Sequence, residues 1–254
     1  MDHSIETRAL RKEFNGRAAV DGLDLMVPRG SFYGFLGPNG AGKSTTIKML
    51  TGILAPTSGE ARVFGLLLDR RPLEIKRRIG VVPEDLCLFE NLTALEYLVF
   101  IGRMYGLPRD TTLTRAAELL SLLELDTAGR TLAGEYSHGM KKKLSLAAAI
   151  IHDPELLFLD EPFEGVDAVS ARVIRTVLAR LVARGATIFL TSHILEIVEK
   201  LCTHVAIIHQ GRLVRQGTLE SLSGGGSLER LFLDAVGHTT EDTATLSWLE
   251  RGPA

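Results

Sequence analysis

The stretch at residues 32–50, FYGFLGPNGAGKSTTIKML, joins an apolar segment, a glycine-rich loop and a helical segment in that order. This order is typical of a nucleotide-binding unit, in which glycines let backbone N–H groups close around phosphates. Lys43 and Ser44 would reach a phosphate oxygen and Mg²⁺, and the dipole of the following helix would favour the anion. The predicted nucleotide-binding residues are Gly37, Pro38, Asn39, Gly40, Ala41, Gly42, Lys43, Ser44 and Thr45.

A second stretch, LLFLDEP at 156–162, ends an apolar segment with two adjacent acids. Asp160 could hold a metal ion through its water shell, and Glu161 could polarise a water molecule. The alternative is an acidic strand end that faces solvent, but adjacent carboxylates at the end of a buried strand are costly without a partner. Because a phosphate loop also requires a carboxylate on the metal side, we predict that both acids belong to one site.

Two single residues are further candidates for the same site. His193 ends the segment ATIFLTSH at the C-terminal edge of a predicted strand, where ligands gather in α/β sheets. A lone histidine is more often an ordinary surface or core residue. Phe14 could stack on a purine ring, or it could simply belong to the core.

Composition limits the classes of function that remain open. The 254 residues are 45% hydrophobic and 24% charged with a formal net charge of -2, which argues against a protein that wraps nucleic acid. We therefore expect no nucleic-acid partner. Cys87 and Cys202 lack metal-ligand spacing and are expected to be reduced, packed thiols in the cytosol. No window approaches the roughly eighteen apolar residues that cross a bilayer, so we expect no spanning segment.

The order of patterns along the chain predicts an α/β fold. Residues 5–37 alternate apolar and polar residues, which favours short, partly antiparallel strands. Leucines at three- and four-residue intervals over 93–125 predict helices, and strands then alternate with helices, which favours a mostly parallel sheet. We predict a main domain over 1–222, with a helical subdomain inserted at about 90–152. Residues 223–254 would form a linker, a short helix and a polar tail.

The stretch YSHGMKKKL at 136–144, called here the signature stretch, begins a predicted helix with three lysines. The helix dipole should repel positive charge at this end, so an anion is expected nearby. Ser137 could cap the helix. The alternative is a capped helix whose lysines form a solvated face.

The motifs GPNGAGKST, YSHGMKKKL, LLFLDEP, EGVD and TSH occur in the order found in ATP-binding-cassette ATPases, the nucleotide-binding subunits of ABC transporters. Over about 5–222 the chain resembles this family, which implies a P-loop NTPase core with an N-terminal antiparallel β-subdomain. The resemblance also implies a role for each matching residue: Phe14 would stack on adenine, Asp160 would be the metal-side acid, Lys43, Glu161 and His193 would be catalytic, and Asp167 would be the D-loop acid. Ser137 and Gly139 would face the γ-phosphate of ATP bound to a partner subunit.

Three residues depart from the usual family pattern. His138 and Met140 replace the usual signature residues, as in relatives that resemble the type-2 exporter branch. Glu84 stands where the family most often has glutamine. At 4 Å and an effective dielectric near 20, a second full charge would interact with this carboxylate by roughly 4 kcal/mol. Either Glu84 binds the metal together with Ser44 and Asp160, or it faces solvent and contacts the membrane partner.

The resemblance implies a function. The chain would bind and hydrolyse ATP with Mg²⁺ and power transport, in the export direction, through a separate transmembrane permease. Two copies would form a homodimer around two MgATP, at the cytoplasmic face of the cell membrane. The alternative is a soluble ABC-type ATPase not coupled to transport, although no long coiled coil, second cassette or basic arm is present. A GTP-dependent switch would need an Asn-Lys-x-Asp run, which the sequence lacks.

Overall fold

Two sheets organise the part of the chain that the computed structural model describes, residues 2–126, 131–224 and 226–237. The first sheet is antiparallel and has the order β2-β1-β5-β6, with β3 paired to β1. Its strands are β1 (His3–Phe14), β2 (Arg17–Leu23), β3 (Met26–Pro28), β5 (Ser58–Val63) and β6 (Leu66–Leu67). The predicted antiparallel N-terminal region is therefore present, although β1, at 12 residues, is longer than the short strands that the sequence predicted.

The second sheet has the order β11-β10-β4-β9-β8-β7, and all its pairings are parallel except that of β10 with β11. Every residue of β4, β8 and β9 is buried, and each of these strands carries a run of apolar residues. The strands are β4 (Phe32–Leu36), β7 (Ile79–Val82), β8 (Leu156–Asp160), β9 (Thr187–Ser192), β10 (His204–His209) and β11 (Arg212–Thr218). The predicted α/β fold with a mostly parallel sheet is confirmed.

The helices cover the parallel sheet and form a cluster beside it. The described helices are α1 (Lys43–Leu50), α2 (Pro72–Lys76), α3 (Ala94–Met104), α4 (Arg109–Leu122), α5 (His138–Ile150), α6 (Ala168–Ala183), α7 (Leu195–Leu201), α8 (Leu219–Ser223) and α9 (Leu228–Val236). The cluster consists of α3, α4 and α5, which pack through buried residues that include Leu98, Leu120 and Leu144. Helices α3 and α4 lie where leucine spacing predicts helices, and α5 begins in the signature stretch, as predicted. The 90–152 boundary of a helical subdomain stays a prediction.

The two cysteines have different environments. Cys202, the residue directly after α7, is buried, and burial raises the pKa of its thiol. Cys87 is exposed in the loop between β7 and α3. The prediction of two packed thiols is therefore wrong for Cys87, because Leu86 and Leu88 on either side of it pack against the core and Cys87 itself is exposed. Within the described residues, no helix is both long and apolar enough to cross a bilayer.

Candidate nucleotide-binding site

The phosphate loop, residues 37–44, leaves the carboxyl end of β4 and leads into α1. Two of its glycines are required by close packing. A Cβ at Gly37 would lie 2.5 Å from the carbonyl oxygen of Ile208, and one at Gly42 would lie 2.5 Å from that of Ala19. Gly42 also has a φ of 107°, in the region that favours glycine. The sequence pattern of this loop therefore follows from its contacts with β2 and β10.

Lys43 is buried at the first position of α1, with 7% of its surface exposed. Its Nζ donates hydrogen bonds to the carbonyl oxygens of Gly37 at 2.8 Å and Pro38 at 3.4 Å, and lies 3.5 Å from Glu161 Oε1. The ammonium group therefore lies within the loop, where a bound phosphate could replace neutral carbonyls with a charged acceptor.

The two acids that end β8 are buried, Asp160 at 4% exposure and Glu161 at 5%. The alternative of an acidic strand end that faces solvent is thus wrong. Thr191 Oγ1 donates to Asp160 Oδ1, and His193 Nδ1 lies 3.0 Å from Glu161 Oε2. The other Glu161 oxygen, Oε1, accepts no hydrogen bond from the described residues. One oxygen of this carboxylate is therefore oriented by histidine while the other remains able to accept a proton.

Glu161 has an unusual backbone conformation, with φ at 47°. A left-handed conformation in a residue other than glycine costs on the order of 1–3 kcal/mol and persists only where surrounding contacts hold it. Here the Glu161 N–H donates to Thr191 Oγ1 at 3.1 Å, and Lys142 Nζ donates to the Glu161 carbonyl oxygen at 3.1 Å. Both residues lie within motifs quoted from the sequence, Lys142 in YSHGMKKKL and Thr191 in TSH, but neither was assigned a role at the site.

Oxygen atoms suited to a hard cation lie beside the phosphate loop. Ser44 Oγ donates to Glu84 Oε2 at 3.3 Å. Ser44 and Glu84 border both the cleft above the loop, of about 290 Å³, and a neighbouring groove of about 540 Å³ that Asp160 also lines. A hydroxyl and two carboxylates are ligands that Mg²⁺ accepts, so these residues fit the ion. Among the described residues no three acidic, histidine or cysteine side chains form a preassembled metal cluster.

The signature stretch begins α5. Ser137 is the N-cap residue, and its side chain accepts a hydrogen bond from the Met140 N–H at 3.3 Å. A Cβ at Gly139 would lie 3.2 Å from Asp167 Oδ2, so only glycine fits against Asp167 without rearrangement. Asp167 in turn caps α6. His138, one of the residues that differ from the usual signature, contacts the loop after β8: its Nε2 lies 3.2 Å from the carbonyl oxygen of Glu164.

The three lysines of the signature stretch do not form a solvated face. Lys141 pairs with Glu90 at 3.0 Å, whereas Lys142 and Lys143 are only 2% and 6% exposed. The alternative of a solvated lysine face is therefore wrong for two of the three, because α5 is buried between the sheet and its neighbouring helices. The sequence does carry a sign that Lys142 is buried, because the apolar residues Leu146 and Ala149 lie on the same face of the helix. Both are buried in the structure.

Phe14 ends β1 and is 47% exposed, so it is not a core residue. Lys12 Nζ lies 5.2 Å from the centre of its ring. Of the described residues, those that line the cleft include Ala19 of the neighbouring strand and not Phe14. The adenine-stacking role of Phe14 stays a prediction.

Comparisons with known proteins agree with this geometry. Residues 20–164 match the ABC_tran family model, described as ABC transporter. The chain is 42% identical to the daunorubicin/doxorubicin resistance ATP-binding protein DrrA of Streptomyces peucetius, over 96% of this chain and 74% of DrrA. It is 41% identical to the bacitracin transport ATP-binding protein BcrA of Bacillus licheniformis, over 85% of this chain and 70% of BcrA. The solved structure of an ATP-binding subunit of an ABC transporter matches with a TM-score of 0.85 and 31% identity, over 91% of this chain and 98% of that one.

The phosphate loop, the buried acids and the parallel sheet define an ATP-binding P-loop NTPase. Within that class, the chain belongs to the ABC transporter family. It is an ATP-binding, ATP-hydrolysing subunit that powers transport, so the function predicted from sequence is confirmed and an ATPase not coupled to transport is not favoured. The predicted resemblance to exporter-type ATPases is also confirmed.

Proposed function

We propose that ATP binds in the cleft above the phosphate loop and that Glu161 activates the water that attacks its γ-phosphate. The observation that carries this proposal is the arrangement of Lys43 and His193 on either side of the Glu161 carboxylate, at 3.5 Å and 3.0 Å. As the water oxygen bonds to the γ-phosphorus and the bond to the β–γ bridging oxygen breaks, Glu161 Oε1 takes the water proton. Lys43 neutralises phosphate charge, and His193 orients Glu161 and contacts the γ-phosphate.

Ser44, Glu84 and Asp160 would hold Mg²⁺, with Asp160 acting through the water shell of the ion. When bound, Mg²⁺ neutralises charge that develops on the phosphate oxygens. The 3.3 Å contact between Ser44 and Glu84 supports this set, because it brings two oxygen ligands together beside the loop. The exposure of Glu84 is compatible with an additional contact to the membrane subunit.

Two copies of the chain would form the working unit. The helix α5 presents the exposed Ser137 at its N-terminus, where unpaired N–H groups and the helix dipole favour a phosphate. We infer that Ser137 and Gly139 contact the γ-phosphate held by the other copy, so that ATP closes the homodimer and hydrolysis opens it. Closing and opening would drive a separate transmembrane permease, at the cytoplasmic face of the membrane, through two access states.

The relatives named for daunorubicin and doxorubicin resistance and for bacitracin transport suggest the direction and the class of cargo. We propose export of an antibiotic-like compound that the membrane subunit selects. A permease that co-purifies with this chain and confers drug resistance only together with it would support this assignment.

A Glu161→Gln variant tests the proposed site and its dimer. The amide keeps the shape of the side chain but cannot take the water proton, so hydrolysis should slow by about 100-fold or more, which begins at the lower end of the usual range for general base catalysis, while ATP binding persists. Unhydrolysed ATP should then hold two chains together, and light scattering should show a shift from monomer to dimer with ATP and none with ADP.

A second substitution tests whether the start of the signature stretch faces the other copy. Glu161→Gln combined with Ser137→Arg should stay monomeric with ATP, because the bulky side chain blocks the phosphate contact. The matched control combines Glu161→Gln with Ser121→Arg, at an exposed serine of α4, and should still dimerise. Dimerisation of the Ser137→Arg double variant as strong as that of the single variant would show that Ser137 only caps α5.

A further inference from the structure

Lys142 is the most deeply buried lysine among the described residues, at 2% exposure, and it lies one turn after the start of α5. Its Nζ donates to the carbonyl oxygen of Glu161 at 3.1 Å and to that of Glu84 at 3.5 Å. Glu161 follows β8, and Glu84 lies just after β7, its parallel neighbour in the sheet. One ammonium group therefore connects the loops that carry the proposed base and one proposed metal ligand.

The surroundings of Lys142 explain why a charge is tolerated in this position. Burying an ammonium group is costly unless hydrogen bonds and opposite charges compensate. Besides the two carbonyl oxygens, the carboxylates of Glu164, Glu84, Asp160 and Glu161 act on Lys142, and they oppose the lowering of its pKa by burial. The extra negative charge that Glu84 brings in place of the family's glutamine is therefore offset by a positive charge on α5.

The contact with Glu161 falls at the strained residue of the site. The left-handed backbone of Glu161 is held by Thr191 on its N–H side and by Lys142 on its carbonyl side. Because the conformation is intrinsically unfavourable, loss of one of these contacts should let the backbone relax and move the carboxylate away from Lys43 and His193.

We propose that Lys142 is a positioning residue for ATP hydrolysis: its buried ammonium holds Glu161 in the reactive backbone conformation and fixes it relative to Glu84. Lys142 acts through these two residues and does not touch ATP. Since it lies on the helix that Ser137 begins, it also makes the position of both loops depend on α5. The proposal rests on the proposed function, because it needs Glu161 to act as the base.

Lys142→Met tests the proposal, because methionine keeps much of the apolar stem and removes the charge. We expect kcat for ATP hydrolysis to fall by about 10-fold or more while KM and the Kd for ATP change by less than about 3-fold. Lys142→Arg retains the charge and should recover most of the rate. Lys200→Met, at the exposed ion pair with Glu196, is the control and should hydrolyse ATP like the wild type.

A double-mutant cycle with Glu84→Gln distinguishes positioning by charge from a general packing defect. Lys142 offsets the negative charge of the Glu84 carboxylate, and Glu84→Gln removes that charge. The loss in kcat caused by Lys142→Met should therefore be smaller by at least about 3-fold in the Glu84→Gln background than in the wild-type background. An equal loss in both backgrounds would overturn the proposal, as would a Lys142→Met rate within about 2-fold of wild type. Two other results would also overturn it. One is a Kd for ATP that rises in Lys142→Met by the same factor by which kcat falls, and the other is a Lys142→Arg variant as slow as Lys142→Met.

The same experiment separates this proposal from the proposed function. A wild-type chain that hydrolyses ATP, together with an inactive Glu161→Gln variant and an unaffected Lys142→Met variant, would leave the function intact and reject only the role of Lys142. A Glu161→Gln variant that hydrolyses ATP like the wild type would reject both.

Discussion

At the scale of single residues, the chemistry of the site depends on how buried charges are paired. Lys43 and Glu161 are both nearly inaccessible and lie 3.5 Å apart, and Glu161 has His193 on its other side. Removal of one partner of a buried ion pair strongly destabilises the folded protein, because the other charge stays buried without compensation. Each of these groups therefore both supports the local structure and supplies a function, and substitution tests must measure folding as well as rate.

Lys43→Ala should abolish productive use of ATP. The lysine neutralises phosphate charge in the ground state and in the transition state, so its loss should reduce hydrolysis by about 100-fold or more. Phosphate release at saturating ATP measures the rate, and circular dichroism verifies folding. The control is Lys48→Ala, an exposed lysine on the same helix, which should remain active. Hydrolysis by Lys43→Ala near the wild-type rate would contradict the site assignment.

At the scale of elements, the proposed dimer contact depends on the starts of α5 and α6. Ser137 caps α5, Asp167 caps α6, and a Cβ at Gly139 would lie in tight contact, 3.2 Å, with Asp167 Oδ2. Asp167 accepts hydrogen bonds from the N–H groups of Ser170 and Val169, and mainly the bond from Ser170 lowers the pKa of the carboxyl group. Each helix start is therefore held by its own cap, and the two starts pack closely against each other at Gly139.

Asp167→Ala should destabilise the protein in a pH-dependent way. Because the folded-state pKa of Asp167 lies below its ordinary value of 3.8, the stability that its ionised form contributes is present above that pH and is lost as the pH falls through the folded-state pKa. The difference between wild type and Asp167→Ala in the urea midpoint should thus be similar at pH 7 and pH 5 and smaller near pH 3.5.

Asp167→Asn provides the control for this pH effect. Its side-chain oxygen can still accept from the two N–H groups, so we expect a smaller loss than for alanine at pH 7 and little change with pH. If the difference between wild type and Asp167→Ala stays constant down to pH 3.5, ionisation of Asp167 does not contribute to the stability of the cap.

At the scale of the whole molecule, the parallel sheet brings the site together. The phosphate loop, Glu84, Glu161 and His193 all follow the carboxyl ends of strands in this sheet, which is where parallel α/β sheets bind ligands. The helix α9 also packs on this body. Leu228 is 1% exposed, and its N–H donates to Glu199 Oε1 at 2.7 Å.

Leu228→Ala tests whether α9 contributes to the stability of the main domain. Removal of a fully buried leucine side chain should lower the free energy of unfolding by about 2–5 kcal/mol. Leu73→Ala, at a leucine that is 73% exposed, should change it by less than about 0.5 kcal/mol. Urea unfolding followed by circular dichroism gives both values. An unchanged transition for Leu228→Ala would favour the predicted main domain that ends at 222.

Local sequence patterns were enough to predict much of this protein. The glycines and Lys43 of the phosphate loop, the acids after β8 and the leucine spacing of α3 and α4 each lie within one short segment, so the sequence shows them directly. The order of five such motifs also predicted the ATPase family, which the comparisons confirm.

The sequence by itself determined the fold class, the family and many of the strands and helices along the chain, because hydrophobic periodicity and loop chemistry act over neighbouring residues. Only the tertiary structure decided which charged groups are buried together. Lys142 contacts Glu84, which is 58 positions away, and the Glu161 N–H depends on Thr191, which is 30 positions away. Burial and pairing of a charge depend on segments that are distant in the chain, and for the same reason Lys142 and Lys143 lie in the interior while Cys87 lies at the surface.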